Sequence, residues 1–135
     1  MNAKRGDSSW IQTYSGKQFW PLDPHVDDVD INDIAHALSL KVRYGGHCKG
    51  FYSVAQHSCL VTEAVRDRLA ISQIRMLRTA LLHDAAEAYT ADIVRPIKHL
   101  ISGFKEIEER IEQVIAEKFN LIYPFPEAIK EADII

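Results

Sequence analysis

The chain has 135 residues, of which 47% are hydrophobic and 26% charged, and its formal net charge is −3. This length fits one domain with a buried core, and the composition is ordinary for a globular protein. The lack of a basic excess argues against a protein that binds along nucleic-acid phosphates, and no run reaches the roughly 18 apolar residues that a membrane span needs.

Residues 1–24 predict an N-terminal arm with a short β-hairpin. Apolar side chains flank a Ser-Gly dipeptide at 15–16, which favours a turn, and Pro21 and Pro24 end regular pairing after it. Residues 25–135 show helical patterns only. The sequence therefore predicts an all-α fold, a single domain whose helical core spans 25–135 with the hairpin as an accessory.

Capping signals begin the first two helices. Asp30 predicts a helix that ends near Tyr44, where a Gly-Gly pair at 45–46 can take up positive φ. A capping box that starts at Ser53 predicts a second helix, which runs to about Leu69.

Four further segments complete the helical pattern. Ser72 predicts the cap of a third helix that runs to Ala88, and Pro96 suits the first position of a short fourth one. Residues 104–119 carry one apolar stripe, typical of an amphipathic surface helix, and residues 126–135 begin like a helix. The polar side chains opposite that stripe are Glu106, Glu109, Glu112 and Lys118.

The dipeptide His83-Asp84 is the strongest chemical signal, because it lies within the apolar third helix. The stripe that Asp84 shares on a helical wheel consists of Leu77, Ala80, Leu81 and Ala88. A buried carboxylate costs several kcal/mol unless a positive partner meets it. No Lys or Arg lies one turn away on that face, whereas His83 and Glu87 converge there. We therefore expect a bound cation beside Asp84.

Two distant residues can complete a metal cage. His57 lies on the inward face of the second helix, and Asp133 lies among apolar residues of the last one. Taken alone, His57 is compatible with an ordinary core histidine and Asp133 with a solvated chain end. Together with His83 and Asp84 they predict one shared ion.

Four more side chains have two interpretations each. Glu87 and Asp92 could accept a proton from a water whose pKa the metal lowers. Alternatively, Glu87 could be a solvated helix residue and Asp92 could cap a turn. Arg43 and Lys98 could bind phosphate, or Arg43 could bond the carbonyls at the end of its helix, and Lys98 is ambiguous in the same way.

The pattern of His57, His83-Asp84 and Asp133 resembles the H…HD…D signature of HD-domain metal-dependent phosphohydrolases, in their 5′-deoxynucleotidase-like branch. Phage and prophage members of that branch are similar in the hairpin as well. The resemblance extends from about Ile11 to the last residue. The strings that carry it are YSGKQF at 14–19, FYSVAQHS at 51–58, LHDAAEAY at 82–89, PIK at 96–98 and AD at 132–133.

This resemblance implies a helical HD fold with one divalent transition-metal ion, commonly Mn, Co or Fe, with Ni or Zn as substitutes in a crystal. The implied ligands are His57, His83, Asp84 and Asp133. It further implies that Glu87 and Asp92 activate or orient the attacking water and that Arg43 contacts phosphate. Tyr44 stands where the branch usually has a tryptophan on the nucleoside side.

The resulting prediction is a phosphohydrolase of nucleotides, with a (deoxy)nucleoside 5′-monophosphate as substrate. Two alternatives stay open: a deoxynucleoside triphosphate triphosphohydrolase, and a nucleotide-binding HD protein without turnover. The second is favoured by the C-terminus, because the branch usually continues for several turns after its last ligand and only two residues follow Asp133 here.

The expected partners and location follow from the same family and from the chain's composition. We expect a homodimer or larger homo-oligomer that binds neither nucleic acid nor membrane. The polar N-terminus and the spacing of Cys48 and Cys59 predict a cytoplasmic protein with two free thiols.

Overall fold

A computed structural model describes residues 9–133, and these are mostly helical with one two-stranded hairpin near the N-terminus, as predicted. The strands are β1 (Ile11–Gln12) and β2 (Gln18–Phe19). The helices are α1 (Ile31–Leu40), α2 (Val54–Asp67), α3 (Ile74–Leu82), α4 (Arg95–Lys98), α5 (Phe104–Phe119) and α6 (Glu127–Asp133). Short 3₁₀ helices lie at Val26–Asp28, Arg43–Gly46 and Ala85–Ala88.

The hairpin is antiparallel and packs against α1. Ile11 pairs with Phe19, whose side chain is fully buried. Asp33 of α1 is buried and accepts hydrogen bonds from the Ser15 backbone N–H at 2.7 Å and from its hydroxyl at 2.9 Å. The tip of the hairpin is thereby fixed to the first turn of α1. Residues 1–8 of the predicted arm, like 134–135 of the last predicted helix, lie outside the described residues.

The first helix is capped by Asp30 as predicted, but it ends at Leu40 and not near Tyr44. Lys41 is already extended, and Val42 forms an isolated antiparallel bridge with Ser53. The backbone groups that would continue the helix therefore bond to the segment that leads into α2. This bridge places Val42, which leads into residues 43–46, beside Ser53, which caps α2 and accepts from the Gln56 N–H as predicted.

The third helix was wrongly placed at both ends. Gln73, not Ser72, precedes its first residue, and the helix ends at Leu82 and not at Ala88. Asp84 leaves the α region, with φ −100° and ψ 12°, and the chain continues as a tighter 3₁₀ turn. The predicted wheel consequently fails at Leu81, which is 41% exposed.

Two apolar clusters hold the helices together. The larger one joins α1, α5 and the 85–89 turn. The smaller one joins α2, α3 and α6 through Val61, Val65, Ala80, Ile129 and Ala132. Burying a side chain such as Ile129 contributes about 1.5–3 kcal/mol. Because this smaller cluster seats α6 against α2, it brings the end of α6 beside the start of α2.

Within the described residues no helix is both long and apolar enough to cross a membrane. Cys48 and Cys59 are free thiols, as predicted.

Thr79 connects α3 to the segment after α5, and its replacement by valine should destabilise the protein. Its fully buried hydroxyl donates to the Arg75 carbonyl at 2.7 Å and accepts from the Ile122 N–H at 3.0 Å. Thr79→Val leaves that N–H unsatisfied, at a cost of about 1–3 kcal/mol. Urea unfolding of Thr79→Val and of Thr62→Val, whose hydroxyl only donates to Ser58 within α2, tests this. Equal losses in both variants would contradict it.

Candidate metal centre

Four side chains from three separate elements converge where α2, α3 and α6 meet. Each offers one ligand atom, and all four atoms lie within 4.8 Å of one another. His57 comes from the first turn of α2, the dipeptide His83-Asp84 directly follows α3, and Asp133 is the last residue of α6. The predicted set of His57, His83, Asp84 and Asp133 is thus brought together.

The distances within this cluster fit ligands of one ion. His83 Nε2 lies 3.1 Å from Asp84 Oδ2 and 3.2 Å from Asp133 Oδ1, and His57 Nε2 lies 3.5 Å from Asp84 Oδ2. Ligand atoms about 2.1 Å from a common metal are separated by about 3.0–3.4 Å. The fourth distance, 2.6 Å from His57 Nε2 to Asp133 Oδ1, is that of a direct hydrogen bond.

The outer nitrogens of both imidazoles have partners that orient the rings. His83 Nδ1 lies 2.7 Å from the Ala80 carbonyl, to which it must donate, so its Nε2 faces the two carboxylates and is the nitrogen that can act as a ligand. His57 Nδ1 lies 3.4 Å from the Tyr52 hydroxyl. Histidines held from behind in this way are typical of metal sites.

The electrostatics of the cluster favour positive charge. Burial acts to lower the pKa of His83, but hydrogen bonds and charges from Asp133 and Asp84 raise it to about 10. Burial likewise acts to raise the pKa of Asp133, and the hydrogen bonds from His57 and His83 hold it well below its usual range. Two nearly buried imidazoles facing two carboxylates therefore suit a divalent cation of the transition series.

A cavity of about 420 Å³ opens beside the cluster. Seven of the nine predicted site residues line it, namely Arg43, Tyr44, Asp84, Glu87, Asp92, Lys98 and Asp133. It is bounded on the far side by residues 93–96. Two members of the cluster, Asp84 and Asp133, therefore border the same cavity as the predicted substrate contacts, and its volume is within the range of small-molecule sites.

Glu87 and Asp92 form an acidic wall of this cavity. Glu87 is only 7% exposed and lies on the 3₁₀ turn that follows Asp84. Burial, together with the charges of Asp84 and then Asp92, raises the pKa of Glu87 well above its usual range. A cation at the neighbouring cluster would offset this negative charge and bring the pKa of Glu87 down again.

Several buried polar atoms along this wall have no hydrogen-bond partner among the described residues: Arg43 Nε, Glu87 Oε1 and Asp92 Oδ2. The guanidinium of Arg43 lies 3.6 Å from Asp92, so its charge faces the acidic wall. Buried polar groups are almost always satisfied. These atoms thus have capacity for a polar ligand or water.

Three residues that were not predicted also contribute to the site. Lys41 donates from Nζ to the carbonyls of Glu87 and of Thr90, the latter at 3.2 Å, and so ties the end of α1 to the turn that carries Glu87. Tyr52 supports His57, and Arg95 adds a cation at the cavity wall. Only Tyr52 had a sequence signal, since it directly precedes the helix cap Ser53.

Glu112 was predicted among solvated residues, but the structure places it partly buried with the Tyr123 hydroxyl donating to it at 3.0 Å. Burial raises its pKa to about 7, the charge of Glu108 adds to this, and the Tyr123 hydrogen bond opposes it. The folded protein therefore keeps a proton that the unfolded chain releases above pH 4.5. It follows that this group lowers stability as the pH rises from about 4.5 to about 7.

Replacing Glu112 with glutamine should remove that pH dependence. The glutamine amide keeps an acceptor for Tyr123 and carries no charge at any pH. Glu112→Gln should thus gain stability relative to wild type between pH 5 and 8, by about 1–2 kcal/mol after allowance for partial exposure. Urea unfolding at several pH values measures this, with Glu109→Gln on α5, whose side chain is 46% exposed, as the control. A difference between variant and wild type that stays constant with pH would refute the assignment.

Comparison with known proteins gives one family and two relatives of similar sequence. A family model described as 5′-deoxynucleotidase YfbR-like matches residues 45–132, a range that contains His57, His83 and Asp84. The chain is 43% identical over 127 residues to the uncharacterised protein YfdR of Escherichia coli strain K12, covering 94% of the chain and 67% of that protein. It is 38% identical over 128 residues to an uncharacterised protein of Rhodobacter capsulatus, covering 92% of the chain and 65% of that protein. The chain thus spans about two thirds of the length of both relatives.

Proposed function

Because the chain belongs to the YfbR-like 5′-deoxynucleotidase family of HD-domain proteins, we propose that it is a metal-dependent phosphohydrolase. Its proposed substrate is a (deoxy)nucleoside 5′-monophosphate, from which it releases orthophosphate. The observation that carries this proposal is the four-residue cluster of His57, His83, Asp84 and Asp133, of which Asp84 and Asp133 line a cavity with both acidic and cationic side chains.

The proposed ligands are these two histidines and two aspartates, and the proposed ion is Mn, Co or Fe in its divalent state. When bound, such an ion would supply positive charge that polarises a phosphoryl oxygen and makes a water more acidic. The protein would orient the ligands through Ala80 and Tyr52, which contact the outer nitrogens of His83 and His57.

The remaining cavity residues have proposed roles in binding and proton transfer. Arg43 and Lys98 would bind the phosphate oxygens and offset the charge that develops as the P–O bond breaks. Glu87 would take the proton of the attacking water, and Asp92 would orient that water and the Arg43 guanidinium, which lies 3.6 Å away. The proton accepted by Glu87 is then available to the departing nucleoside oxygen.

Tyr44 is the proposed contact for the nucleoside. Tyr44 is 56% exposed, and its ring centroid lies 4.9 Å from the Arg43 guanidinium carbon, so both residues of this pair are available at the cavity. The backbone of Tyr44 is left-handed, with φ 57°, so the chain turns sharply at this residue.

The test is an assay of the full chain after chelation and reloading with Mn²⁺. Deoxynucleoside and nucleoside 5′-monophosphates and deoxynucleoside triphosphates are supplied in parallel, and orthophosphate is distinguished from triphosphate. We expect orthophosphate from a monophosphate, only with metal, and a higher Tm with metal present. Triphosphate as the product would favour the triphosphohydrolase alternative. Stabilisation by metal and nucleotide without any product would favour a binding protein.

A further inference from the structure

Lys98 has a long, flexible side chain that lines the cavity. It lies at the end of α4, which has only four residues, and its side chain forms part of the cavity wall. A lysine side chain has four rotatable methylenes, so an ammonium group that must meet a phosphate gains from an independent anchor.

Such an anchor is provided by α5. Lys98 Nζ lies 3.0 Å from Glu108 Oε1 and 5.5 Å from the centroid of the Phe104 ring. Both residues belong to the first turns of α5, and the cavity lining includes neither of them. The carboxylate occupies one of the three donors of the ammonium group and leaves two for other acceptors.

We propose that Glu108 is a positioning residue, which holds the Lys98 ammonium group at the cavity wall where its remaining donors face a bound phosphoryl group. This inference rests on the proposed function, because it assumes that a phosphate occupies the cavity. Glu108 itself touches neither substrate nor metal in this assignment.

The environment of the pair distinguishes it from ordinary surface ion pairs. The side chains of Lys98 and Glu108 are 32% and 15% exposed, whereas the neighbouring pair Lys105–Glu109 is 84% and 46% exposed with its charged atoms 3.9 Å apart. Shielded and closely spaced charges retain more of their attraction than exposed ones. Lys105–Glu109 is therefore the matched control on the same helix.

Glu108 also competes with Asp84 and Glu87 for the Lys98 ammonium group. Burial acts to lower the pKa of Lys98, but the hydrogen bond and charge of Glu108 outweigh it, and Glu87 and Asp84 add smaller effects in the same direction. Without Glu108 the ammonium group would be drawn towards Asp84 and Glu87. Glu108 thus holds the Lys98 ammonium group away from Asp84 and Glu87.

The experiment compares Glu108→Ala with Glu109→Ala in Mn²⁺-loaded full chain, with inorganic phosphate as the binding probe and the nucleotide assay for KM and kcat. We expect phosphate affinity to fall and KM to rise about fivefold in Glu108→Ala, with a smaller fall in kcat, because Lys98 and Arg43 both remain to offset charge on the phosphate. Glu109→Ala should behave as wild type.

A double-mutant cycle with Lys98→Met separates positioning from simple structural support. In the Lys98→Met background, Glu108→Ala should change KM and phosphate affinity no further. Additive effects, or wild-type values in Glu108→Ala, would overturn the assignment. Should Glu108→Ala not fold, Glu108→Gln carries the same cycle, because it keeps an acceptor and loses the charge. A wild-type protein that neither binds nor releases phosphate would instead overturn the proposed function, and this inference with it.

Discussion

Asp84→Asn is expected to abolish metal binding and phosphate release together. Asparagine preserves the size of the side chain but removes the negative charge, so it is a weaker metal ligand. The oxygen that it would change, Asp84 Oδ2, lies 3.5 Å from His57 Nε2 and 3.1 Å from His83 Nε2. Loss of a direct ligand should exceed the 10–100-fold effects of outer residues, so metal affinity and activity should each fall at least about 100-fold. Elemental analysis after gel filtration and the orthophosphate assay measure the two quantities.

The matched control for this change is Asp67→Asn. Asp67 lies on α2, as His57 does, but its side chain is 62% exposed and pairs with its neighbour Arg66. It should retain one metal per chain and full activity. If Asp84→Asn also retained both, the ion would have to bind elsewhere and the proposed centre would be wrong.

Glu87→Gln should separate the two effects, with metal retained and turnover lost. Glutamine matches the shape of glutamate but cannot take a proton from water at neutral pH. Because general-base contributions are typically about 10²–10⁴-fold, we expect kcat to fall by an amount in that range. The assay uses saturating Mn²⁺ and nucleotide, and metal content is determined on the same samples.

An exposed glutamate near the centre controls for the substitution itself. Glu131→Gln on α6 removes the same charge from the protein surface close to Asp133 and should leave kcat unchanged. A Glu87→Gln variant with nearly normal kcat would exclude Glu87 as the proton acceptor. A variant that loses its metal would indicate that Glu87 supports the ligands and not the water.

The sequence predicted the centre from helix faces and caps. The capping box at Ser53 correctly placed His57 in the first turns of α2, and residues 126–135 were correctly predicted to begin like a helix, which spans Glu127–Asp133. Both predictions used local periodicity, which depends on a few neighbouring residues. The resemblance to the family rested on four spaced residues predicted as ligands and on their flanking strings. Three of those residues, His57, His83 and Asp84, lie inside the matched range.

What the sequence did not predict depends on contacts between distant segments. The early end of α1 results from the bridge between Val42 and Ser53, and the fixation of the turn that carries Glu87 results from Lys41 bonding to the Glu87 carbonyl. The partial burial of Glu112 likewise requires Tyr123 from beyond α5. No pattern within one helix contains such partners, so a helical wheel placed Glu112 with the solvated residues.

The 3₁₀ turn after α3 has a consequence for insertions and deletions in this family of sequences. The Glu87 N–H donates to the Asp84 carbonyl at 3.0 Å, so the two side chains are one turn of three residues apart and project the same way. One residue added between them would rotate the glutamate by about 120° and point it out of the cavity. The pitch of this turn therefore fixes the separation of the proposed ligand Asp84 from the proposed proton acceptor Glu87, and a homologue with a different spacing there should use another base or have none.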